Sequence, residues 1–159
     1  MTRIVLLEQL KTLTQDETAD IIMPVRMQKD DAKQEYRAAD VYLMRLTVSS
    51  AAQKKAPYII HQLITGKDEQ PLGKNVSSLA VVRSIFCVYN DDEEEGCLML
   101  LNLMESFRIS LLKRVVIGNQ FVLDLEAGLE SLIYPDDTAP YYAGEMVSTW
   151  KLPAVQREV

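Results

Sequence analysis

"LAVVRSIFCVYNDDEEEGCLMLLNLM", residues 79–104, changes character at its middle, and that change decides the fold. Up to Tyr89 the stretch is dense in β-formers and, Arg83 and Ser84 aside, apolar on both faces. That is the pattern of a central strand with a helix laid over one face. From Asn90 the chain turns acidic. In "NDDEEEG" Asn90 or Asp91 suits an N-cap, and the following carboxylates sit where a helix dipole is positive. A strand therefore hands over directly to a long helix, which the pattern carries to about residue 115.

The helix has more apolar girth than one sheet face needs. Cys97, Leu100, Leu101, Met104, Phe107, Leu111 and Val115 form one broad core face, while Leu98, Met99, Leu103 and Ile109 fall outside it. Asn102, Ser106 and Lys113 make the clearly polar line. Gly118 or Asn119 in "GNQ" can take the left-handed conformation that caps such a helix.

Working outward, Leu6, Leu10 and Leu13 mark an N-terminal helix over 3–13. Thr14 and Glu17 match a capping box for a second short turn, and Pro24 closes the region. "MQKDDAKQEYRAA" at 27–39 reads as a polar loop. "DVYLMRLTV" at 40–48 reads as a strand, followed by the linker "SSAAQKKA". "PYIIHQLIT" at 57–65 reads as a second strand ended by Gly66, and 66–78 as an irregular segment. After the long helix come "FVLDL" at 121–125 and "LESLIY" at 129–134. The loop "PDDTAP" joins the latter to a last strand, "PYYAGEMVSTWKLP" at 140–153. There Tyr142, Met146, Trp150 and Leu152 point one way and Glu145, Thr149 and Lys151 the other, with Pro153 as the stop. Successive strands without intervening helices imply an α+β domain. The expectation is a mostly antiparallel sheet with the N-terminal helix and the long helix packed on one face. A single domain spans 1–159.

Composition narrows the function. With 48% apolar and 25% charged residues, the chain reads as globular rather than disordered. The apolar run at the N-terminus is too short for a signal peptide. "CLMLLNLM" at 97–104 is far short of the roughly 20 residues a spanning helix needs, so no membrane role is expected and a cytoplasm is the expected place of synthesis. A formal charge of −6 with no basic stripe argues against tight nucleic-acid binding. Cys87 and Cys97 lack metal-site spacing and read as ordinary buried residues. His61, the single histidine, sits in an apolar strand and reads as structural. Asp91, Glu93, Glu95 and Gly96 fall on the first positions of a calcium loop, but Asn102 stands where the bidentate carboxylate is required. The sequence carries no nucleophile-elbow, Walker or dinucleotide motif. The expectation is a non-enzyme with no catalytic, metal-binding or cofactor-binding residues.

The apolar surplus then points to protein contacts. An N-terminal helix before "IIMPVR", the strand "PYIIHQLITG", the strand "VVRSIFCVY" running into an acidic helix start, and the closing "PYYAGEMVSTWKLP" together carry a likeness. In this element order the chain resembles the tail-terminator (tail-completion) proteins of long-tailed bacteriophages and prophages. The resemblance implies a small α+β structural protein of the virion tail or neck, assembled in the host bacterial cytoplasm. Such proteins form a ring of identical copies, a hexamer in the family, that caps the tail tube and meets the head–tail connector protein. Leu98, Met99, Ile109 and Trp150 are then the candidate contact residues. Alternatives are another head–tail joining, neck or minor tail protein, or a small ligand-binding or regulatory domain of a mobile element.

Overall fold

A computed structural model of the protein describes residues 2–27, 33–46, 55–135 and 138–158. Its spine is the strand β5, Ser77–Tyr89, paired antiparallel with β4 (Tyr58–Glu69) on one edge and β9 (Tyr141–Lys151) on the other. Beyond β4 lies β3 (Asp40–Leu43), and beyond β9 lie β7 (Phe121–Leu123) and β6 (Val116–Ile117). A further strand, β8 (Glu130–Ile133), shares the free edge of β9 with β7. Every pairing in this sheet is antiparallel except β3 with β4. Both helices, α1 (Arg3–Thr18) and α2 (Glu93–Arg114), cover the same face. The fold is α+β, as the order of elements implied.

Alternation along β5 creates the two faces. Ala80, Val82, Phe86 and Val88 enter the core beneath the helices, with Leu6, Leu10, Leu100, Leu103, Phe107 and Trp150. Cys87 points to the helix-free side, where a smaller cluster joins it to Tyr58, Ile60, Tyr89 and Tyr141. Next to that cluster Arg83 bonds Gln62 at 3.0 Å and approaches Glu145 at 3.7 Å, a polar ladder across three strands.

Several boundaries differ from the sequence reading. Helix α1 continues to Thr18 because Thr14 and Thr18 donate back to Leu10 and Thr14 carbonyls, at 2.6 and 2.7 Å, and are buried. Thr14 is therefore no N-cap, and Glu17 is satisfied at the helix edge by Arg114 at 2.8 Å. The segment 27–39 is not all loop, since β2 (Tyr36–Arg37) pairs with β1 (Met23–Pro24). Strand β4 runs past Gly66, with a register irregularity between Leu63 and Thr65, so 66–78 is largely a β-hairpin arm. Gly66 serves close approach rather than a turn: a Cβ there would sit 2.7 Å from the Arg3 guanidinium. Residues 28–32, 47–54 and 136–137 lie outside those described, and with them much of the polar loop, the end of the 40–48 strand, most of "SSAAQKKA" and part of "PDDTAP".

The ends of α2 are also displaced. Asp92, not Asn90 or Asp91, is the N-cap, accepting from the Glu95 N–H at 2.9 Å, while Asn90 accepts from the Asp92 N–H. At the other end Val115 itself takes positive φ (60°), and Gly118 and Asn119 instead form the β6–β7 turn, both with φ of 58°. Positive φ at both central residues suits the twist of a tight hairpin.

Candidate functional site

The imidazole and one of the two thiols lie inside the molecule. His61 is completely buried between α1 and β5 and stacks beside Phe107, with ring centroids 5.4 Å apart. Its Nε2 lies 2.8 Å from the Thr14 hydroxyl and its Nδ1 2.8 Å from Ser84 Oγ. Thr14 gives its own proton to the Leu10 carbonyl, so Nε2 must carry the imidazole hydrogen and Nδ1 must accept from Ser84. Burial pushes the His61 pKa down to about 3, keeping the ring neutral. A Ser–His hydrogen bond is the beginning of a nucleophile–base pair. Here both partners are sealed from solvent, so no substrate reaches them, and the chain Leu10–Thr14–His61–Ser84 ties α1 to the sheet.

Cys87 is buried beside Tyr58, and burial pushes its thiol up to about 11, away from reactivity. Cys97 is exposed, contrary to expectation, on the first turns of α2. Among the described residues no group of three or more His, Cys, Asp or Glu side chains is placed to hold a metal ion. In the acidic run Asp92 caps the helix and Asp91 accepts from the Tyr89 hydroxyl at 2.8 Å. Among the described residues no helix is long and apolar enough to cross a membrane.

One open cleft, of about 470 Å³, lies between the start of α1 and the β4–β5 arm, lined by Arg3, Ile4, Asp68, Gln70, Leu152 and Val155 among others. Its opposite charges pair with each other, although Arg3 Nε is buried without a hydrogen-bond partner among the described residues. Ser78 donates to Asp68 at 2.6 Å and Arg3 pairs with it at 3.0 Å, and the two hold the Asp68 carboxyl below its ordinary range.

What remains is apolar surface. The buried side of α2 carries Leu100, Leu103, Met104, Phe107 and Leu111 together with the small residues Gly96 and Ser110. That face is turned roughly 60° from the expected one, at about 100° per residue. Leu103 is inside, whereas Cys97 and Leu101 are outside. The cause is Tyr142, whose ring lies where a Gly96 Cβ would be, at 2.3 Å, so the helix docks through its smallest residue. Rotation leaves a second apolar stripe opposite the core: Leu98 (59% exposed), Leu101, Ile109 and Leu112. Glu105 and Arg108 interrupt it, joined by a bidentate ion pair of 2.7–3.0 Å that holds the Glu105 carboxyl below its usual range.

The expected contact residues therefore separate. Leu98 and Ile109 stand on this stripe. Met99 is only partly exposed and packs against the core, and Trp150 is fully buried, its indole N–H donating to Ser148 Oγ at 2.9 Å. Trp150 cannot touch a partner. Leu101 and Leu112 belong to the surface stripe, and Leu132 (52% exposed) and Ile133 stand exposed on opposite faces of β8 at the sheet edge. The signal for Leu101 and Leu112 was present as a second helical periodicity, masked by assigning Leu101 to the core. No family model matches the chain, and no curated protein matches it.

Proposed function

We propose that the protein is a non-enzymatic assembly subunit of the tail-terminator kind, one copy in a ring that closes a phage tail tube and receives the head–tail connector. The observation that carries this reading is apolar surface at two separate places on one small domain, the outward stripe of α2 and the β8 edge. A ring subunit docked on a tube needs non-identical contact faces, because a heterologous contact joins two different patches and the tube requires another. Isolated exposed leucines are ordinary, but aligned ones on a rigid helix mark contact sites. The likeness in element order read from the sequence suggests the assembly type of this proposal. The proposed partners are further copies of the chain, the tail tube protein and the connector, and the proposed location is the virion neck.

The test is sedimentation and electron microscopy of the purified chain, with and without purified tail tubes. Self-association that rises with concentration, or rings appearing on tube ends, is the expected result. A chain that stays monomeric at high concentration and ignores tubes refutes the reading.

A further inference from the structure

The outward stripe of α2 has an internal order that selects its occupant. Leu98, Leu101, Glu105, Arg108 and Leu112 recur at alternating three- and four-residue steps, the spacing of a two-helix seam. The seam is apolar towards both ends and charged only at its centre, where Glu105 and Arg108 are half-exposed. A parallel pairing of two such helices stacks Glu105 on Glu105 and Arg108 on Arg108, which repel. An antiparallel pairing centred between them sets each carboxylate against the other copy's guanidinium. It also brings the acidic first turn, Glu93–Glu95, towards a last turn that carries Lys113 and Arg114, with the helix dipoles opposed.

We propose that this stripe binds the same stripe of a second copy, antiparallel, with Leu101 against the partner's Leu112 and Glu105 against the partner's Arg108. The occupant is fixed by self-complementarity: the pattern reads the same after a two-fold rotation, which an arbitrary partner has no reason to match. The inference goes beyond the ring reading, since a two-fold contact does not propagate around a ring. It joins free subunits in pairs, or two rings face to face, and leaves the other surfaces for ring closure.

Charge exchange in the full chain tests it. Glu105→Arg and Arg108→Glu each gather four like charges at the centre, and each should weaken self-association in sedimentation equilibrium by about tenfold or more. Mixed together, the two variants should pair with each other, and the double variant Glu105→Arg/Arg108→Glu should associate like the parent. Melting curves of each variant establish that the monomer is intact. Register is read by oxidation in a Cys97→Ser background. Leu101→Cys/Leu112→Cys should give disulfide-linked dimers and Leu101→Cys alone should not, because its two copies lie about 16 Å apart along the helices. Failure of the mixed variants to pair, equal cross-linking by the single cysteine, or a strict monomer at millimolar concentration overturns the proposal. A chain that is monomeric alone yet binds tail tubes refutes the two-fold contact and leaves the tube-capping reading standing.

Discussion

Between pH 8 and pH 5, acid should destabilise this protein chiefly through His61. His61 is completely buried and neutral, with its pKa pushed down to about 3 by burial, against an ordinary value of 6.5. In the unfolded chain the ring protonates as pH falls below 6.5, and in the native chain it does not until about pH 3. The unfolded state therefore binds more protons across that window, and stability rises with pH within it. At pH 5 the shortfall is about 2 kcal/mol relative to pH 8, at about 1.4 kcal/mol per unit of pH. For a domain of this size that corresponds to a fall of roughly 4–8 °C in Tm.

The perturbation is His61→Gln, which keeps an amide able to bond Thr14 or Ser84 but cannot titrate. It should cost about 1–3 kcal/mol at neutral pH, because one buried hydroxyl loses its partner. The informative quantity is the difference in urea unfolding free energy between pH 8 and pH 5. Asp68 and Glu105, both held below the ordinary carboxyl range, lose stabilisation in acid in parent and variant alike, so their share cancels. The parent should lose about 2 kcal/mol more than His61→Gln across that interval. Since the chain has a single histidine, its imidazole resonances can be followed without assignment and should stay at the neutral position down to pH 4.5 in the folded protein. Equal acid losses in parent and variant, or an imidazole that titrates near 6.5, refute the argument.

Gly96→Ala, which in an exposed helix gains about 1 kcal/mol, should here destabilise by about 1–3 kcal/mol in denaturant titration, because the new methyl meets the Tyr142 ring; a gain in stability counts against that packing. Ile109→Lys should weaken assembly in sedimentation while changing monomer stability by less than about 0.5 kcal/mol, since the position is exposed; a large fall in Tm places it in the core instead. Millimolar Ca²⁺ should leave Tm unchanged, because Asp91 and Asp92 are already engaged as local acceptors; a saturable rise of several degrees identifies a site by mass action.

The strand-to-helix junction was legible because two independent signals coincide there: β5 is apolar on both faces, and the acidic run marks the start of α2. The last strand was legible for a similar reason, since Met146, Trp150 and Leu152 alternate cleanly into the core. The misread places are those where a side chain does what its residue type rarely does. Thr14 and Thr18 look like helix breakers but bury hydroxyls that bond back along α1. Gly66 looks like a strand terminator but makes room for Arg3. The parallel partner of β4 and the β1–β2 pairing depend on contacts far apart in sequence, which local pattern does not carry.

The exposed apolar stripe was half legible, and the reason lies in how α2 chooses its buried side. A helix with apolar residues on two sides offers two cores to a reader who weighs only hydrophobicity. Packing weighs shape as well, and Gly96 and Ser110 let the helix approach the sheet more closely than a face of uniform leucines. Once that side is taken, Leu98, Leu101, Ile109 and Leu112 are left outside. The energetics of that remainder bear on how the subunit behaves. A leucine or isoleucine contributes about 1.5–3 kcal/mol when fully buried. Side chains already half covered contribute about 1 kcal/mol each, so the three leucines of each copy in a two-fold contact supply on the order of 6 kcal/mol before the electrostatic centre is counted. Association costs roughly 4–15 kcal/mol in lost freedom. The two are comparable, so the stripe by itself gives a weak, concentration-dependent pair rather than a permanent dimer. On the proposed ring reading, a subunit that stays dispersed until a tube end is present needs a contact of that strength: a tight dimer is trapped before docking, and a polar helix has no contribution to make once neighbouring copies are held side by side.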